Sequence, residues 1–456
     1  MGRQGSFFAS TKERAQPQTI AAVRAKVAGR LAQAANDLLS ISDTRAVWRR
    51  VIVEATTMWA ASRVAMFLLT YAAVAMSQAG YASGYIGHGF RSLVDAWTRW
   101  DAQWYIGIAS GGYSSQQSTA FFPLYPLTIR GLALIFGPHW ALMALVAGNL
   151  GTLGAFIGVG LLAAGEDVAR EDGQRAIRML AAYPLAFFLA APYSEGLFLG
   201  CAALSLFCAR RGKWRWAALW AFLSASTRPT GVILILPLLW EYGRHRGWWQ
   251  LTAWRSRVSR LGESVGVRQR LRSVATSARS SAVVDVFLLM LSVPLAIGLF
   301  AAYCWARFGH PLLFLHAQDI FWHRTSEPLW NTLFGTTRLA FLLPTLSFWQ
   351  FRLLVDLGPV LIYLCITVLT ARRVPFAFTL YLLGLYYLTV ANPVVLRLEP
   401  DPLFSAGRFL IEAAPMYVLL GQWSRKRPWL DLLLVSSGFL LQAILGMFFL
   451  NGGWMV

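Results

Sequence analysis

Asp101 is the residue of this sequence best placed to act as a base. It lies in the segment TRWDAQWYIGIASGGY, between Trp100 and Trp104, which is typical of a short amphipathic helix at a membrane interface. A carboxylate flanked by two indole rings is partly desolvated, which suits it to accept a proton from an attacking hydroxyl group. The simpler alternative is an interfacial aromatic belt in which Asp101 pairs with Arg99. We favour the belt for the tryptophans and the catalytic role for the carboxylate.

Three arginines are candidates for binding a phosphate group: Arg228, Arg324 and Arg408. Arg228 lies between two short apolar blocks, directly before a proline, at a depth where an unpaired arginine is costly. Its guanidinium group matches phosphate oxygens in a bidentate way. The alternative is an ion pair with Glu195 or Asp101, and the two roles are compatible because a ligand can exchange for the pair. Arg408 either binds the same phosphate or reaches to lipid head groups.

Further polar residues lie in the segments PYSE and HAQDIFWHR. Glu195 follows Pro192 at the start of a predicted helix, where it either caps the helix or binds a ligand hydroxyl. The second segment contains His316, Gln318 and Trp322, and its two histidines and one aspartate make a metal site conceivable. Because the HxxD and DxxxH spacings are weak signals, we predict phosphate or polar-ligand binding there and no metal.

Long apolar blocks separate these residues. The 456 residues are 57% hydrophobic and only 14% charged, whereas a soluble domain carries about 25% charged residues. Blocks of about 20 apolar residues match the hydrocarbon thickness of a bilayer, and they lack the two-residue period of barrel strands. The sequence therefore predicts an all-α polytopic membrane protein.

The charges and cysteines exclude several other classes of protein. The net charge of +20 comes from short Lys and Arg clusters between apolar blocks, as the positive-inside rule predicts, which argues against nucleic-acid binding. The four cysteines lie within apolar segments without a CxxC pattern, so they indicate neither a zinc site nor a disulfide framework. The N-terminal segment lacks the pattern of a cleavable signal peptide.

The distribution of basic residues predicts the topology. We expect a basic cytoplasmic segment at 1–50 and a transmembrane domain at 51–456 with a basic cytoplasmic loop at 243–282. An N-terminus on the inside then gives about eleven spans and puts most of the 41 Lys and Arg residues on the cytoplasmic side. The segments 121–137 and 331–346 become amphipathic or re-entrant helices on the outer side. The predicted spans lie near 52–77, 139–163, 177–191, 194–209, 215–227, 231–242, 283–306, 353–371, 375–391, 406–422 and 429–451.

This topology gathers the unusual polar residues on the outer side. Several middle spans contain only about 12–16 residues, so they reach about 18–24 Å, less than the hydrocarbon thickness. Helices that end early leave a cavity near the outer membrane surface, where broken helices are tolerated. We therefore expect a single polar site at that surface.

The motifs of these segments resemble a known family. WDAQWYIGIASGGY, AFFPLYPL, AAPYSEGLF and SASTRPTGVIL, in this order, resemble the PIG-V-type mannosyltransferases, which comprise the second mannosyltransferase of GPI-anchor assembly and its bacterial relatives. HAQDIFW and SAGRF fit the later part of the pattern. The resemblance covers roughly residues 95–415, and its first two motifs are the most specific. The basic segment 243–282 looks like an elaboration.

The resemblance implies a GT-C-like helical bundle, a polyprenyl- or dolichyl-phosphate sugar donor, mannose as the default sugar and inversion at the anomeric carbon. It also implies an acidic base in the first outer loop, which maps onto Asp101. No cofactor or metal is expected, because arginines and helix N-termini can stabilise a single-phosphate leaving group. The expected substrate-binding residues are Trp100, Gln103, Tyr125, Glu195, His316, Gln318 and Trp322, although packing is the favoured role for Tyr125.

The expected partners are a polyprenyl-phosphate sugar, membrane lipids and a glycan, glycolipid or protein acceptor. No Gly-rich phosphate loop or DxD pair indicates a sugar-nucleotide donor. The composition and the lack of an ER-retention signal favour a bacterial plasma membrane, or the ER membrane if the protein is eukaryotic, with the site on the non-cytoplasmic face. The alternative is a lipid-linked sugar flippase or transporter, which the lack of an internal repeat disfavours.

Overall fold

The computed structural model describes residues 17–80, 87–165, 171–248, 268–394 and 402–453, with side chains for all of these except 17–44, 171 and 268–282. The chain divides into two compact units, Met1–Arg50 and Val51–Val456, and the second contains all the residues of the candidate site. Over the described residues the regular structure is helical, with one isolated β-bridge between Arg324 and Val394. The predicted all-α class is confirmed.

The described residues form seventeen α-helices and four short 3-10 helices. The α-helices are α1 (Pro17–Gln78), α2 (Phe90–Asp95), α3 (Asp101–Gly111), α4 (Leu124–Phe136), α5 (Trp140–Ala164), α6 (Glu171–Ala181), α7 (Glu195–Arg210), α8 (Trp214–Thr227), α9 (Ile235–Arg246), α10 (Arg268–Phe308), α11 (Leu313–Ile320), α12 (Leu329–Leu342), α13 (Phe348–Thr370), α14 (Phe376–Val390), α15 (Ala406–Phe409), α16 (Ala414–Arg425) and α17 (Pro428–Leu450). The 3-10 helices are Gln117–Ala120, Ala186–Leu189, Pro229–Leu234 and Leu410–Glu412.

Five of these helices are long and apolar enough to cross a membrane. They are Arg45–Gln78 of α1, α5, Val283–Phe308 of α10, α13 and α17, and they coincide closely with the predicted spans near 52–77, 139–163, 283–306, 353–371 and 429–451. This agreement supports an integral membrane protein. The count of eleven spans stays a prediction, and most of the predicted loop 243–282 lies outside the described residues or their side chains.

Three consecutive helices in the middle of the chain are short. α7, α8 and α9 contain 16, 14 and 12 residues, which gives lengths of about 18–24 Å at 1.5 Å per residue. α7 lies beside α5 and runs in the same direction, because a Cβ atom on Gly151 would touch Leu197 and one on Gly158 would touch Ala203. The close approach that these glycines permit fixes the height at which α7 begins.

Three predicted spans are not continuous α-helices, so the prediction is wrong there, and one of them, at 231–242, begins in the 3-10 helix Pro229–Leu234 and continues as α9. The span predicted at 177–191 ends as an α-helix at Ala181 and resumes as the 3-10 turn Ala186–Leu189. Pro184 lies in the gap, where its ring and missing N–H group oppose helix continuation. The span predicted at 406–422 consists of α15, a 3-10 turn and α16.

Polar side chains inside the bundle bind the backbone groups that this break leaves free. Arg63 of α1 donates hydrogen bonds to the Leu189 carbonyl at 3.1 Å and to Asn149 Oδ1 at 2.6 Å. Thr152 donates to the same carbonyl at 2.6 Å, and Asn149 Nδ2 donates to the Ala190 carbonyl at 3.3 Å. Non-helical backbone at membrane depth is stable only with such partners. The break can therefore persist directly before the segment that leads into α7.

The contact between α17 and the broken segment gives a test of the fold. A Cβ atom on Gly438 would overlap the Ala182 carbonyl oxygen, a backbone atom that cannot rotate away. We expect Gly438→Ala to lower the stability of the purified protein by about 3 kcal/mol, the upper end of typical overpacking costs. The measurement is the thermal unfolding midpoint in detergent. The matched control is Gly298→Ala in α10, which meets no atom within 4 Å, and equal midpoints for the two variants would contradict the packing.

Candidate functional site

Five charged side chains from four segments form one continuous chain of ion pairs. The order is Asp101, Arg408, Glu195, Arg228 and Glu412, hereafter the ion-pair chain. Arg408 Nη2 lies 2.7 Å from Asp101 Oδ2, and Arg408 Nε lies 2.6 Å from Glu195 Oε1. Arg228 lies 2.7 Å from Glu195 through Nη1 and 2.7 Å from Glu412 through Nε. Asp101 and Arg228 thus belong to the same cluster, joined through Arg408 and Glu195.

Asp101 is the first residue of α3 and the most accessible carboxylate of the ion-pair chain. Its side chain is 19% exposed, whereas those of Glu195 and Glu412 are fully buried. The backbone that leads into α3 is held by Tyr193, whose hydroxyl group donates to the Arg99 carbonyl at 3.1 Å. Within the described residues, the ion-pair partner of Asp101 is Arg408 and not Arg99, so the sequence-based alternative for this carboxylate named the wrong arginine.

Glu195 occupies the centre of the ion-pair chain. It is the first residue of α7, where a negative charge complements the helix dipole, and it contacts both arginines. The preceding residue, Ser194, links the chain to α3, because its hydroxyl lies 2.7 Å from the Tyr105 hydroxyl and 3.3 Å from Arg228 Nη1. The buried Glu195 Oε2 atom has no hydrogen-bond partner among the described residues. Glu195 therefore combines the predicted helix-end position with an acceptor oxygen that remains available.

Arg228 ends α8 in an extended backbone conformation and is held by two carboxylates. Burial alone would lower the pKa of its guanidinium group, but Glu412 and Glu195 raise that pKa above its ordinary value. Thr230 donates a hydrogen bond to Glu412 Oε2 at 3.0 Å, so the RPT motif supplies both the cation and a brace for its partner. The predicted pairing of Arg228 with Glu195 is present, and a second pairing with Glu412 is added.

Arg408 is fixed by the tight turn of the SAGR motif. Asp356 of α13 accepts a hydrogen bond from the Gly407 N–H at 2.7 Å, and the Tyr183 hydroxyl donates to the Gly407 carbonyl at 2.6 Å. The guanidinium carbon of Arg408 lies 4.5 Å from the ring centre of Tyr193 and 5.0 Å from that of Phe188. The side chain is 3% exposed, so Arg408 is buried in the protein and does not extend to lipid head groups.

Arg324 lies next to the ion-pair chain. Its guanidinium group donates to the carbonyls of Asn392 at 3.1 Å and Phe404 at 3.4 Å, and it stacks over Phe409 at 4.9 Å. Arg228 lies over the same ring at 5.3 Å. Burial lowers the pKa of Arg324 to about 10, with smaller contributions in the same direction from Arg408 and Arg228, so the group stays positively charged at neutral pH. Among the described residues, Arg324 makes no ion pair with a carboxylate.

Three charged residues of the site, Asp101, Arg324 and Arg408, follow closely after residues with a positive φ angle. The structure has four described non-glycine residues with positive φ, and three of them lie just before a charged residue of the site: Trp100 before Asp101, His323 before Arg324, and Ser405 three residues before Arg408. Each such conformation costs on the order of 1–3 kcal/mol and persists only where surrounding contacts enforce it. These turns therefore direct the three charged side chains to the same place.

An aromatic wall continues from the ion-pair chain along α3. Trp104, one helical turn after Asp101, stacks on Phe121 with ring centres 5.7 Å apart. Trp322 meets both rings edge-on, at 6.2 Å from Trp104 and 5.7 Å from Phe121. The buried Trp322 Nε1 atom has no hydrogen-bond partner among the described residues. This wall combines a flat apolar surface with one N–H donor that lacks a partner among the described residues.

The other predicted substrate-binding residues lie in different environments. Tyr125 is fully buried, donates to the Ala144 carbonyl at 2.7 Å and packs on Tyr105, so it contributes to the core. Gln103 is exposed, and its side-chain Nε2 donates a long hydrogen bond of 3.5 Å to the Thr98 carbonyl, just before α3. Trp100 is 44% exposed at the start of α3.

His316 and Gln318, which lie in α11, also differ in their exposure. His316 is exposed and Gln318 is half-buried, and the Gln318 carbonyl accepts a hydrogen bond from the Arg324 N–H. In the part of the chain that the structure describes, no three His, Cys, Asp or Glu side chains stand close enough to hold a metal ion. The arrangement of this segment positions Arg324 and Trp322 rather than a histidine pair.

Sequence reasoning missed Glu412, Asp356 and Phe409. Glu412 gave a usable signal, because a carboxylate inside the apolar block 406–422 is costly unless it is paired. Asp356 gave the same signal within the span 353–371. Phe409 gave none, since a phenylalanine in an apolar block is ordinary.

Basic residues lie at the far ends of the helices that leave the site. α7 begins at Glu195 and ends at Arg210, which pairs with Glu241 near the end of α9 at 3.3 Å. α16 begins two residues after Glu412 and ends at Arg425, which pairs with Asp172 at 3.2 Å. The site and the basic loops thus lie at opposite ends of these helices.

The family model described as mannosyltransferase (PIG-V) matches residues 46–240, which contain Asp101, Glu195 and Arg228. The resemblance, predicted over roughly residues 95–415, is confirmed where that range overlaps the match, at residues 95–240. A search of curated proteins finds no match.

One solved structure with a similar arrangement is the crystal structure of ArnT from Cupriavidus metallidurans bound to undecaprenyl phosphate. The two chains have 12% sequence identity and a TM-score of 0.43. The match covers 80% of this chain and 59% of the ArnT chain, so the similarity takes in less than two thirds of the ArnT length.

Proposed function

We propose that this protein is a membrane glycosyltransferase that moves a sugar, mannose by default, from a polyprenyl-phosphate carrier to an acceptor hydroxyl on the non-cytoplasmic face, with inversion. The proposal proceeds from the PIG-V family match over residues 46–240. The observation that carries it is the meeting of an accessible carboxylate, Asp101, with three guanidinium groups, those of Arg408, Arg228 and Arg324. A base and an anion-binding group in one cluster are the two components that such a transfer requires.

Asp101 is proposed as the general base. It removes the proton of the acceptor hydroxyl as that oxygen attacks the anomeric carbon from the face opposite the phosphate, which gives inversion. Asp101 is the only member of the ion-pair chain with a partly exposed carboxylate, so it is the one an acceptor can reach. Trp104 and Trp322 supply a wall for the sugar beside it.

Arg324 is proposed as the main ligand of the donor phosphate. Arg324 makes no ion pair with a carboxylate among the described residues, whereas Arg228 and Arg408 each contact two. A guanidinium group binds phosphate oxygens through charge-assisted hydrogen bonds and needs no metal ion to do so. Arg228 and Arg408, which lie over the same Phe409 ring as Arg324, then assist.

The distribution of charge supports the proposed face. Arg210 and Arg425 end helices that begin at the site, and basic residues concentrate on the cytoplasmic side of membrane proteins. This distribution supports the proposal that the site end of the bundle faces the non-cytoplasmic side. A cysteine introduced at the exposed Gln103 tests this assignment, because an impermeant thiol reagent should label it in intact cells.

The decisive experiment uses purified protein in lipid nanodiscs and a panel of radiolabelled polyprenyl-phosphate sugars. A glycosyltransferase releases polyprenyl phosphate and transfers the label to an acceptor fraction. A flippase, the competing proposal, moves the labelled lipid between leaflets and leaves it glycosylated. Absence of release for every sugar of the panel, in the presence of membrane extract as acceptor source, would refute the proposal.

Replacing Arg324 tests the assignment of the phosphate ligand. We expect Arg324→Gln to raise the KM for the donor roughly 10- to 100-fold, because hydrogen bonds to charged groups contribute about 1.5–3 kcal/mol. The measurement is the rate of sugar release against donor concentration. Arg307→Gln, which alters an exposed arginine near the end of α10, is the matched control. An unchanged donor KM in Arg324→Gln would rule out this role.

A further inference from the structure

Arg408 contacts the proposed base and lies near the proposed phosphate ligand, because the guanidinium carbons of Arg408 and Arg324 lie 6.0 and 4.9 Å from the ring centre of Phe409. Its Nη2 atom contacts Asp101 at 2.7 Å while its Nε atom contacts Glu195 at 2.6 Å. Glu195 is fully buried, whereas the side chain of Asp101 is 19% exposed. Of the two carboxylates on Arg408, Asp101 is therefore the one that an incoming anion can displace.

The charges of the cluster are consistent with this exchange. Asp101, Glu195 and Glu412 supply three carboxylates, and Arg228, Arg408 and Arg324 supply three guanidinium groups. If a phosphodiester anion binds between Arg324 and Arg408, then Glu195 and Glu412 still neutralise the two buried arginines and Arg324 balances the phosphate. The remaining charge is Asp101, released from its pair. The side chain that must accept a proton is thus the one that the phosphate sets free.

We infer that the donor phosphate and Asp101 compete for Arg408, so that binding of the donor converts Asp101 from an ion-pair partner into an available base. This inference rests on the proposed function and adds an order to it, with the lipid-phosphate sugar binding before the acceptor hydroxyl is activated. An unloaded site keeps its base paired with Arg408.

The reaction that follows is balanced. The acceptor oxygen forms a bond to the anomeric carbon as the bond from that carbon to the phosphate oxygen breaks. The bonding electrons leave with the phosphate, which becomes polyprenyl phosphate, and the hydroxyl proton passes to Asp101. Arg408 and Arg324 stabilise the second negative charge that develops on the phosphate. Departure of polyprenyl phosphate returns Arg408 to Asp101 after that carboxylate loses its proton to water.

A double-mutant cycle tests the competition with polyprenyl phosphate as the probe. Its dissociation constant is measured by titration of nanodisc-embedded protein for the unmodified chain, Asp101→Asn, Arg408→Gln and the double variant. We expect Asp101→Asn to bind polyprenyl phosphate roughly three- to tenfold more tightly, because the competing charged hydrogen bond is lost at a partly exposed site. In the Arg408→Gln background the same change should have little effect, since the group that both anions share is gone.

Each outcome of the cycle separates two explanations. If the gain persists in the Arg408→Gln background, it reflects long-range repulsion between Asp101 and the phosphate, and the inference is overturned. If Asp101→Asn shows no gain while the unmodified chain binds the probe, the inference fails and the proposed function stands. If the unmodified chain neither binds polyprenyl phosphate nor releases it from any lipid-phosphate sugar, both fail.

Folding of the arginine variant is the main experimental risk, because Glu195 loses one of its two cations. Arg408→Lys provides a second version of the cycle. A lysine keeps a positive charge near Glu195 but lacks the planar fork that reaches two carboxylates at once. The gain from Asp101→Asn should again shrink, to less than twofold, and a gain equal to that of the unmodified background would contradict shared use of Arg408.

Discussion

Asp101→Asn is expected to lower the rate of sugar transfer by roughly 10²- to 10⁴-fold, the usual contribution of a general base. Asparagine has the same shape and keeps an oxygen that accepts a hydrogen bond from Arg408, so the ion-pair chain loses a charge but little packing. The measurement is the release of polyprenyl phosphate at saturating donor. The KM for the donor should not rise, because Asp101 is not among the groups that bind the phosphate.

The control for this variant is Asp95→Asn. Asp95 lies in α2, near Asp101 in sequence, and forms an exposed pair with Arg91 that carries no role in the site. Its variant should turn over at the normal rate. Normal turnover by Asp101→Asn would remove the base assignment, and equal losses in both variants would point to damage of the α2–α3 region rather than to chemistry.

The long helices were predictable because their signal is local. A run of about 20 apolar residues has one stable arrangement in a bilayer, and the predicted span 139–163 differs from α5, Trp140–Ala164, by one residue at each end. The same holds for 429–451 and α17. Such segments can be recognised without information on the helices that pack beside them.

The broken helices were not predictable in the same way. Apolar composition alone suggested a continuous span at 177–191, although the chain leaves the α-helix at Ala181. The break is stable because Arg63, Asn149 and Thr152 bind the freed carbonyls, and these residues belong to other helices. A sequence shows the proline that opens a helix but does not show which distant side chains will satisfy the backbone.

The site was predictable only in part, because its location followed from the sequence and the pairing of its side chains did not. The topology gathered Asp101, Glu195, Arg228 and Arg408 at one end of the bundle, because each lies at a helix terminus on the same side. The partners within the cluster depend on three-dimensional contacts, such as that between Glu195 and Arg408, which are 213 residues apart in the chain. The local alternative, a pair between Arg99 and Asp101, was wrong for that reason. Proximity in sequence is a poor guide where helix ends from four segments converge.

Arg228→Met is expected to destabilise the protein by about 3–5 kcal/mol, the usual cost of breaking a buried ion pair from one side. Arg228 is the only described cation that contacts Glu412, and it shares Glu195 with Arg408. Its removal leaves a buried carboxylate with Thr230 as its main polar contact. The measurement is the thermal unfolding midpoint of purified protein in detergent, and the midpoint should fall by several degrees or the protein should fail to accumulate.

A second variant separates two causes of the lost stability, the uncompensated charge of Glu412 and the loss of packing around Arg228. In the double variant Arg228→Met, Glu412→Gln the unbalanced charge is gone while the methionine still fills the space beside Phe409. The double variant should therefore recover much of the lost stability but none of the activity, because the cation opposite the donor phosphate is still missing. Arg91→Gln, at an exposed pair, should leave both quantities unchanged. If the double variant is no more stable than Arg228→Met, the uncompensated charge of Glu412 is not the source of the damage, and the ion-pair chain contributes to stability by packing instead.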